Sequence, residues 1–280
     1  MEKFSEIVYK RPDMAALKKA MKQQLELLKK AKTYEEARAA YLASQEITAH
    51  AETSYVVASV RNTLDTTDKF YDGEMQFFNR ALAMLMPISK AFIDAILKTP
   101  FRAEFEAEFG KQLFTLAEMA QKSQSKKIIP ELIAQGTTEN NYKKTAAACK
   151  TTFRGEECNF YGLLKHMESP DREERKEAYL AWAKLYEDAS EQLDKQFDKL
   201  IKLRVRMAKK LGLPGGYTEL AYLDRHRADY GPKEVEQFRA QVKAVIVPAV
   251  AKIREEQAKR LGVETLKYYD DTCIFPDGNA

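Results

Sequence analysis

One stretch of this chain leaves little choice of fold. Between Ser169-Pro170 and Gly212 no glycine or proline interrupts the sequence, and Ala178, Trp182, Leu185, Ala189, Leu193, Phe197, Leu200 and Leu211 recur at helical spacing. Ser169 is a cap-type residue and Pro170 suits a first helical turn, whereas Gly212 and Pro214 stop a helix. The pattern predicts a single helix of about forty residues that buries Trp182, Leu185, Leu193 and Phe197 against neighbouring helices.

The same periodicity runs through most of the remaining sequence. Met14, Leu17, Met21, Leu25 and Leu28 follow Arg11-Pro12-Asp13 and predict an amphipathic helix with Pro12 in its first turn. Thr33-Tyr34-Glu35-Glu36 has the spacing of a capping box and opens a second helix running towards Arg61. A third helix lies between Thr67 and Lys98, with a bend expected at Pro87, and Phe101, Phe105 and Phe109 form the core-facing stripe of a fourth. Further on, Tyr217 to Arg227 and Pro232 to Leu261 read as helices. In the latter, Val235, Phe238, Val242, Val245, Ala249 and Ile253 supply the expected buried stripe.

Only near residues 143–158 does the composition leave this pattern. Thr145 to Phe153 is small and β-tolerant and Arg154-Gly155-Glu156-Glu157 can turn, so a short antiparallel hairpin is expected there, although alanine runs also favour helix. The fold class is mainly α: an elongated multi-helix lobe with one small hairpin.

Lys and Arg number 46 against 42 Asp and Glu, and the charges are interspersed, which argues against a nucleic-acid or membrane surface role. The start has no apolar signal core, and the three cysteines, Cys149, Cys158 and Cys273, lack metal-type spacing, which fits a reduced, cytoplasmic setting. A helical zinc hydrolase site needs His-Glu-x-x-His, but His50, His166 and His226 are followed by Ala51-Glu52, Met167-Glu168 and Arg227-Ala228. Each is read as a surface or interfacial histidine. Cys149 and Cys158 are read as small core residues, Gly215-Gly216 as a linker without phosphate-loop chemistry, and Asp270-Asp271 as solvated charges beside a turn. No catalytic, cofactor-binding or metal residue is assigned.

Local signatures then accumulate in order: Tyr9-Lys10-Arg11-Pro12-Asp13; Phe153-Arg154-Gly155-Glu156-Glu157; Ser169-Pro170-Asp171-Arg172 leading to Arg175 and Ala178; and Arg204 through Gly212. Tyr217, Asp229-Tyr230, Phe238-Arg239, Val247-Pro248, Arg260-Leu261-Gly262, Tyr269-Asp270 and Phe275-Pro276-Asp277-Gly278-Asn279 continue the series. Together they resemble the amino-terminal half of oligoendopeptidase F and its thimet-oligopeptidase-like relatives. The resemblance implies a helical zinc peptidase that holds short peptides in a deep channel, with zinc bound by His-Glu-x-x-His and a later Glu in the full-length parent. It further implies residues 1–200 as an amino-terminal helical lobe and 201–280 as the opening helices of the catalytic domain. Arg225, Arg227, Asp229 and Tyr230 are candidates to face such a channel, against a solvent-facing reading.

The turn chemistry of Phe275 to Ala280 reverses the chain towards a next element, so the sequence reads as a piece of something larger. The expected partners are then short peptides and the missing carboxy-terminal lobe. The alternative is a standalone helical module that binds peptides or a protein without cleaving them.

Overall fold

The computed structural model describes residues 3–278. They form helices α1 (Met14–Lys30), α2 (Tyr34–Leu64), α3 (Lys69–Leu97), α4 (Arg102–Phe109), α5 (Gln112–Ser123) and α6 (Ile129–Ala147), then strands β1 (Thr151–Phe153) and β2 (Glu156–Cys158). Helices α7 (Phe160–Met167), α8 (Arg172–Leu211), α9 (Gly216–Asp224), α10 (Pro232–Gln241) and α11 (Val247–Leu261) follow. At 40 residues, α8 extends over roughly 60 Å at 1.5 Å rise per residue. The chain is mainly α with one small hairpin, as its sequence predicts.

Two compact units divide the chain. The first comprises the residues up to Asn140 and Lys199–Asp229. Its largest core joins Leu17, Met21, Leu25 and Leu28 of α1 to Ala37, Ala40 and Ala51 of α2, Ile88, Phe92 and Ile96 of α3, and Phe105 and Phe114. Tyr34 and Tyr41 meet the Phe105 ring edge-on at 5.2 and 5.7 Å, and such pairs add to the area the rings bury. Pro12 lies ahead of helix α1 rather than in its first turn, because Asp13 is the cap: its carboxylate accepts from the N–H groups of Ala15 and Ala16 at 2.9 and 3.0 Å. Ahead of α2, Thr33 Oγ1 accepts from Glu36 N–H at 3.3 Å, while the Glu36 carboxylate accepts from Lys32 N–H at 2.7 Å, a capping box displaced by one residue. The buried Glu74 carboxylate anchors the chain before α1 by accepting from Tyr9 Oη and Arg11 Nε, the latter at 2.9 Å.

The second unit comprises Asn141–Asp198 and the chain from Tyr230 onward. Strand pairing is Thr151 with Cys158, Thr152 with Glu157 and Phe153 with Glu156. The intervening Arg154 and Gly155 have φ of 49° and 87°, the positive values that a two-residue hairpin turn needs to match strand twist. The hairpin is narrower than residues 143–158, because Thr145-Ala146-Ala147 continue α6, where alanine's helix propensity prevails. Phe153, Cys158, Leu163, Met167, Ala178 and Leu185 make this unit's core.

Two burial expectations fail here. On α8, Leu185 and Leu193 are buried, but Phe197 is 53% exposed and Trp182 is only half-buried among Phe160, Tyr179 and Tyr186. The helix from Pro232 to Leu261 also differs: Val242–Ile246 forms a π-helical turn in which Val247 N–H donates to Val242 O. Widening the turn ahead of Pro248 suits a residue that has no N–H and whose ring crowds the carbonyl four residues back. The expected stripe on this helix is not covered. Phe238, Val245 and Ile253 are each 64% exposed, and Gln257 is the buried residue of α11.

Gly278 N–H donates to Phe275 O at 3.1 Å, closing the Pro276-Asp277 turn expected from the sequence. Asn279 and Ala280 lie outside the described residues. Among the described residues, no helix is long and apolar enough to cross a membrane.

Candidate functional site

The residues singled out by type end up in unlike surroundings. His50 on α2 and His226 after α9 are exposed, and His226 takes a left-handed φ of 52°. A cavity of about 190 Å³ lies beside His226 and Asp224, walled by Ile128, Leu132, Met207 and Leu220. Arg225 and Asp229 are exposed, Arg227 is half-buried with its guanidinium 5.4 Å from the Tyr222 ring centre, and Tyr230 is exposed. Gly215 N–H donates to the Glu219 carboxylate at 2.8 Å, so the Gly215-Gly216 pair serves as a helix entrance.

Asp270 is not the solvated charge that its position beside a turn suggests. Its side chain is fully buried, accepts from Arg172 Nε and Nη2 at 3.0 and 2.8 Å and from Arg175 Nη2 at 3.0 Å, and caps the last short helix through Lys267 N–H at 2.9 Å. Burial alone pushes the carboxyl up, but the donors of Arg172, Lys267 and Arg175 outweigh it and hold the group at about 2. Arg175 also donates to the carbonyls of Ser169, Pro170 and Tyr269 at 2.8, 3.0 and 3.1 Å, and Gln257 donates to those of Asp270 and Cys273 at 2.9 and 2.7 Å. Arg175 and Gln257 direct their side-chain donors to this one segment, which makes this a structural network. Asp271, by contrast, is exposed and paired with Arg254.

A third arrangement joins one cysteine and one histidine that the sequence analysis leaves apart. Residues i and i+2 of a strand share a face, so β2 presents Glu156 and Cys158 together. Asn159 caps α7 by accepting from Gly162 N–H at 2.9 Å, and α7 carries His166 back over the hairpin to within 4.9 Å of the Phe153 ring. A carboxylate oxygen of Glu156, the Cys158 sulfur and a ring nitrogen of His166 then lie within 4.8 Å of one another. His166 Nδ1 is 2.7 Å from Glu174, which also accepts from Ser169 Oγ at 2.8 Å and lies 3.3 Å from Arg154. The sequence signal is Glu-x-Cys followed eight residues on by His, a spacing outside the common zinc signatures. This donor set also differs from the His-Glu-x-x-His plus Glu that the resemblance implies for peptide hydrolysis, so it does not fit the catalytic zinc.

The remaining feature is a surface. Phe238, Val245, Ile246, Val247, Val250 and Ile253 expose apolar side chains along α10, the π-helical turn and α11. Single exposed apolar residues are ordinary, but six on one continuous helix are a patch.

Residues 4–124 match the model of the peptidase M3 N-terminal domain, and residues 165–272 match that of peptidase family M3. No curated protein matches the chain. Among solved structures, the chain is similar to a Bacillus anthracis str. Ames protein assigned as an oligoendopeptidase F, at 35% identity and a TM-score of 0.93 over 98% of this chain and 50% of that one. It is also similar to PZ peptidase A solved with an inhibitor, at 37% identity and a TM-score of 0.95 over 99% and 49%. A second protein assigned as an oligoendopeptidase F aligns at 36% identity and a TM-score of 0.96 over 100% and 49%. The chain thus spans about half the length of these proteins.

Proposed function

The chain belongs to the M3 peptidase family, and from that premise we propose that it is the amino-terminal, channel-wall part of a zinc-dependent oligoendopeptidase that cuts internal bonds of short peptides in the cytoplasm. In this reading residues 1–200 form the wall and 201–280 open the catalytic part. The second half of the fold supplies the His-Glu-x-x-His zinc site and closes the channel. Walls of packed helices admit flexible peptides and exclude folded proteins, and they shield the reacting carbonyl from water. When bound, the zinc polarises that carbonyl and activates water. The contribution of this chain is selection, and taken alone it hydrolyses nothing.

The observation that carries the reading is the bare apolar face of α10 and α11. A helix whose apolar stripe is exposed lacks a neighbour, and the similar structures are about twice as long as this chain. The second half of the M3 fold is the occupant assigned to that face.

An assay with internally quenched peptides tests this. The purified chain alone should show no chelator-sensitive hydrolysis, and mixing it with the separately produced second half of the B. anthracis relative should give a complex with such activity. Hydrolysis by the chain alone overturns the division of labour. A chain that binds peptides yet ignores the second half points instead to the standalone binding module.

A further inference from the structure

We infer that Glu156, Cys158 and His166 form a binding site for a divalent zinc-like metal ion, which clamps the hairpin to α7. The inference does not rest on the peptidase reading, because it concerns a different place and a different donor set. Thiolate, imidazole and carboxylate together suit zinc, whereas magnesium and calcium take oxygen ligands. The three donor atoms already lie within 4.8 Å of one another. Around a tetrahedral zinc, with bonds of about 2.3 Å to sulfur and about 2.0 Å to nitrogen, donors sit roughly 3.5 Å apart. Closing that difference asks for side-chain rotations within the cluster, and Glu156 is exposed and held only by a surface pair with Lys165.

Two features of His166 point to a missing partner. Its Nδ1 faces the Glu174 carboxylate at 2.7 Å, the arrangement in which a carboxylate accepts the Nδ1–H hydrogen bond and orients a ligating ring. Its Nε2 is buried and has no hydrogen-bond partner. Buried polar atoms in native proteins are nearly always satisfied, and a lone pair held in place without an acceptor's usual donor is what a metal ligand needs.

The surroundings are built to keep the donors in register. Cys158 is pinned by its pairing with Thr151 and by the Phe153–Leu163 core, and Asn159 caps the helix that carries His166. Lys165, 3.1 Å from Glu156, competes with a cation, but an exposed pair of this kind is weak and easily exchanged. Cys158 is buried, so a bulky electrophile cannot reach its sulfur, whereas a metal ion entering beside exposed Glu156 can. Binding leaves the cysteine as thiolate and releases its proton to solvent, with no change in redox state. Three protein ligands and one water complete four-coordination.

The test uses tag-free, metal-free 280-residue chain titrated with Co2+ and then Zn2+, read by absorption and thermal melting. One equivalent of Co2+ should give tetrahedral visible bands and a thiolate-to-cobalt charge-transfer band, both bleached by Zn2+, and Zn2+ should raise the melting temperature. Cys158→Ser should lose the charge-transfer band, whereas Cys149→Ser and His226→Gln should keep it. Glu156→Gln alters an exposed side chain and should weaken binding about tenfold or more with the fold intact. Glu174→Gln, a positioning change, should weaken it by about 10- to 100-fold and leave the charge-transfer band in place at saturation. A folded chain without the band, a band that survives Cys158→Ser, or unchanged affinity in Glu156→Gln overturns the site. Peptide hydrolysis in the two-half mixture is read separately, so failure of one proposal leaves the other standing.

Discussion

Helices α1 and α11 have similar apolar spacing in sequence and opposite surroundings in the fold. Helix α1 buries Leu17, Met21, Leu25 and Leu28, whereas α11 buries Gln257 and exposes Val247, Val250 and Ile253. What holds the end of α11 is polar: Gln257 and Arg254 reach the following segment, where Arg172 and Arg175 enclose Asp270. Periodicity therefore announces that a helix has an apolar face without saying that this chain covers it.

The largest effect should come from the polar anchor. Asp270→Ala leaves two guanidinium groups without their shared carboxylate, one of them fully enclosed, and should cost about 3–5 kcal/mol in urea unfolding. A loss below about 1 kcal/mol would mean that the second unit is held by its apolar core. On the other side of the comparison, Leu25→Ala should cost about 2–5 kcal/mol, through lost burial and the cavity it leaves.

Acid should separate the regions more gently. Asp270 is held at about 2, below its ordinary 3.8, so it favours folding above the unfolded value and loses that contribution as pH falls through the folded one. Stability should drop by about 2 kcal/mol between roughly pH 5 and pH 1 on this account, and Asp270→Asn should flatten that slope. An unchanged slope in the variant would place the acid sensitivity at other lowered carboxylates, among them Glu74, which Arg11 holds below the carboxylate range in the first unit.

The smallest effect sharpens the contrast most. Ile253→Ser should change the stability of this chain by less than about 0.5 kcal/mol, because the side chain already stands in water. The same change should weaken association with the second half of the fold in a binding titration. A large loss of stability in the isolated chain would show that the face is covered after all.

Most of the fold was legible from the sequence. The cap at Thr33, the forty-residue periodicity of α8 and the glycine stops are local signals, and local hydrogen bonding decides them. Misreadings arose where a residue's environment depends on distant chain. Trp182 and Phe197 share the helical register of Leu185 and Leu193, but the register does not say how far a neighbouring element extends. Asp270 looked solvated because its partners lie almost a hundred residues earlier. Cys158 and His166 looked unrelated because their meeting depends on a hairpin turn and the return of α7.

Sequence alone determined the helical class, the long helix between Pro170 and Gly212, a hairpin near Phe153 and the family, since each rests on contacts a few residues long or on the order of short signatures. Only tertiary structure decided which apolar faces are covered, that Asp270 is a buried anchor, and that Glu156, Cys158 and His166 converge. The physical reason is that burial and pairing are properties of the chain's path through space. Residues far apart in sequence settle them only once the helices have packed.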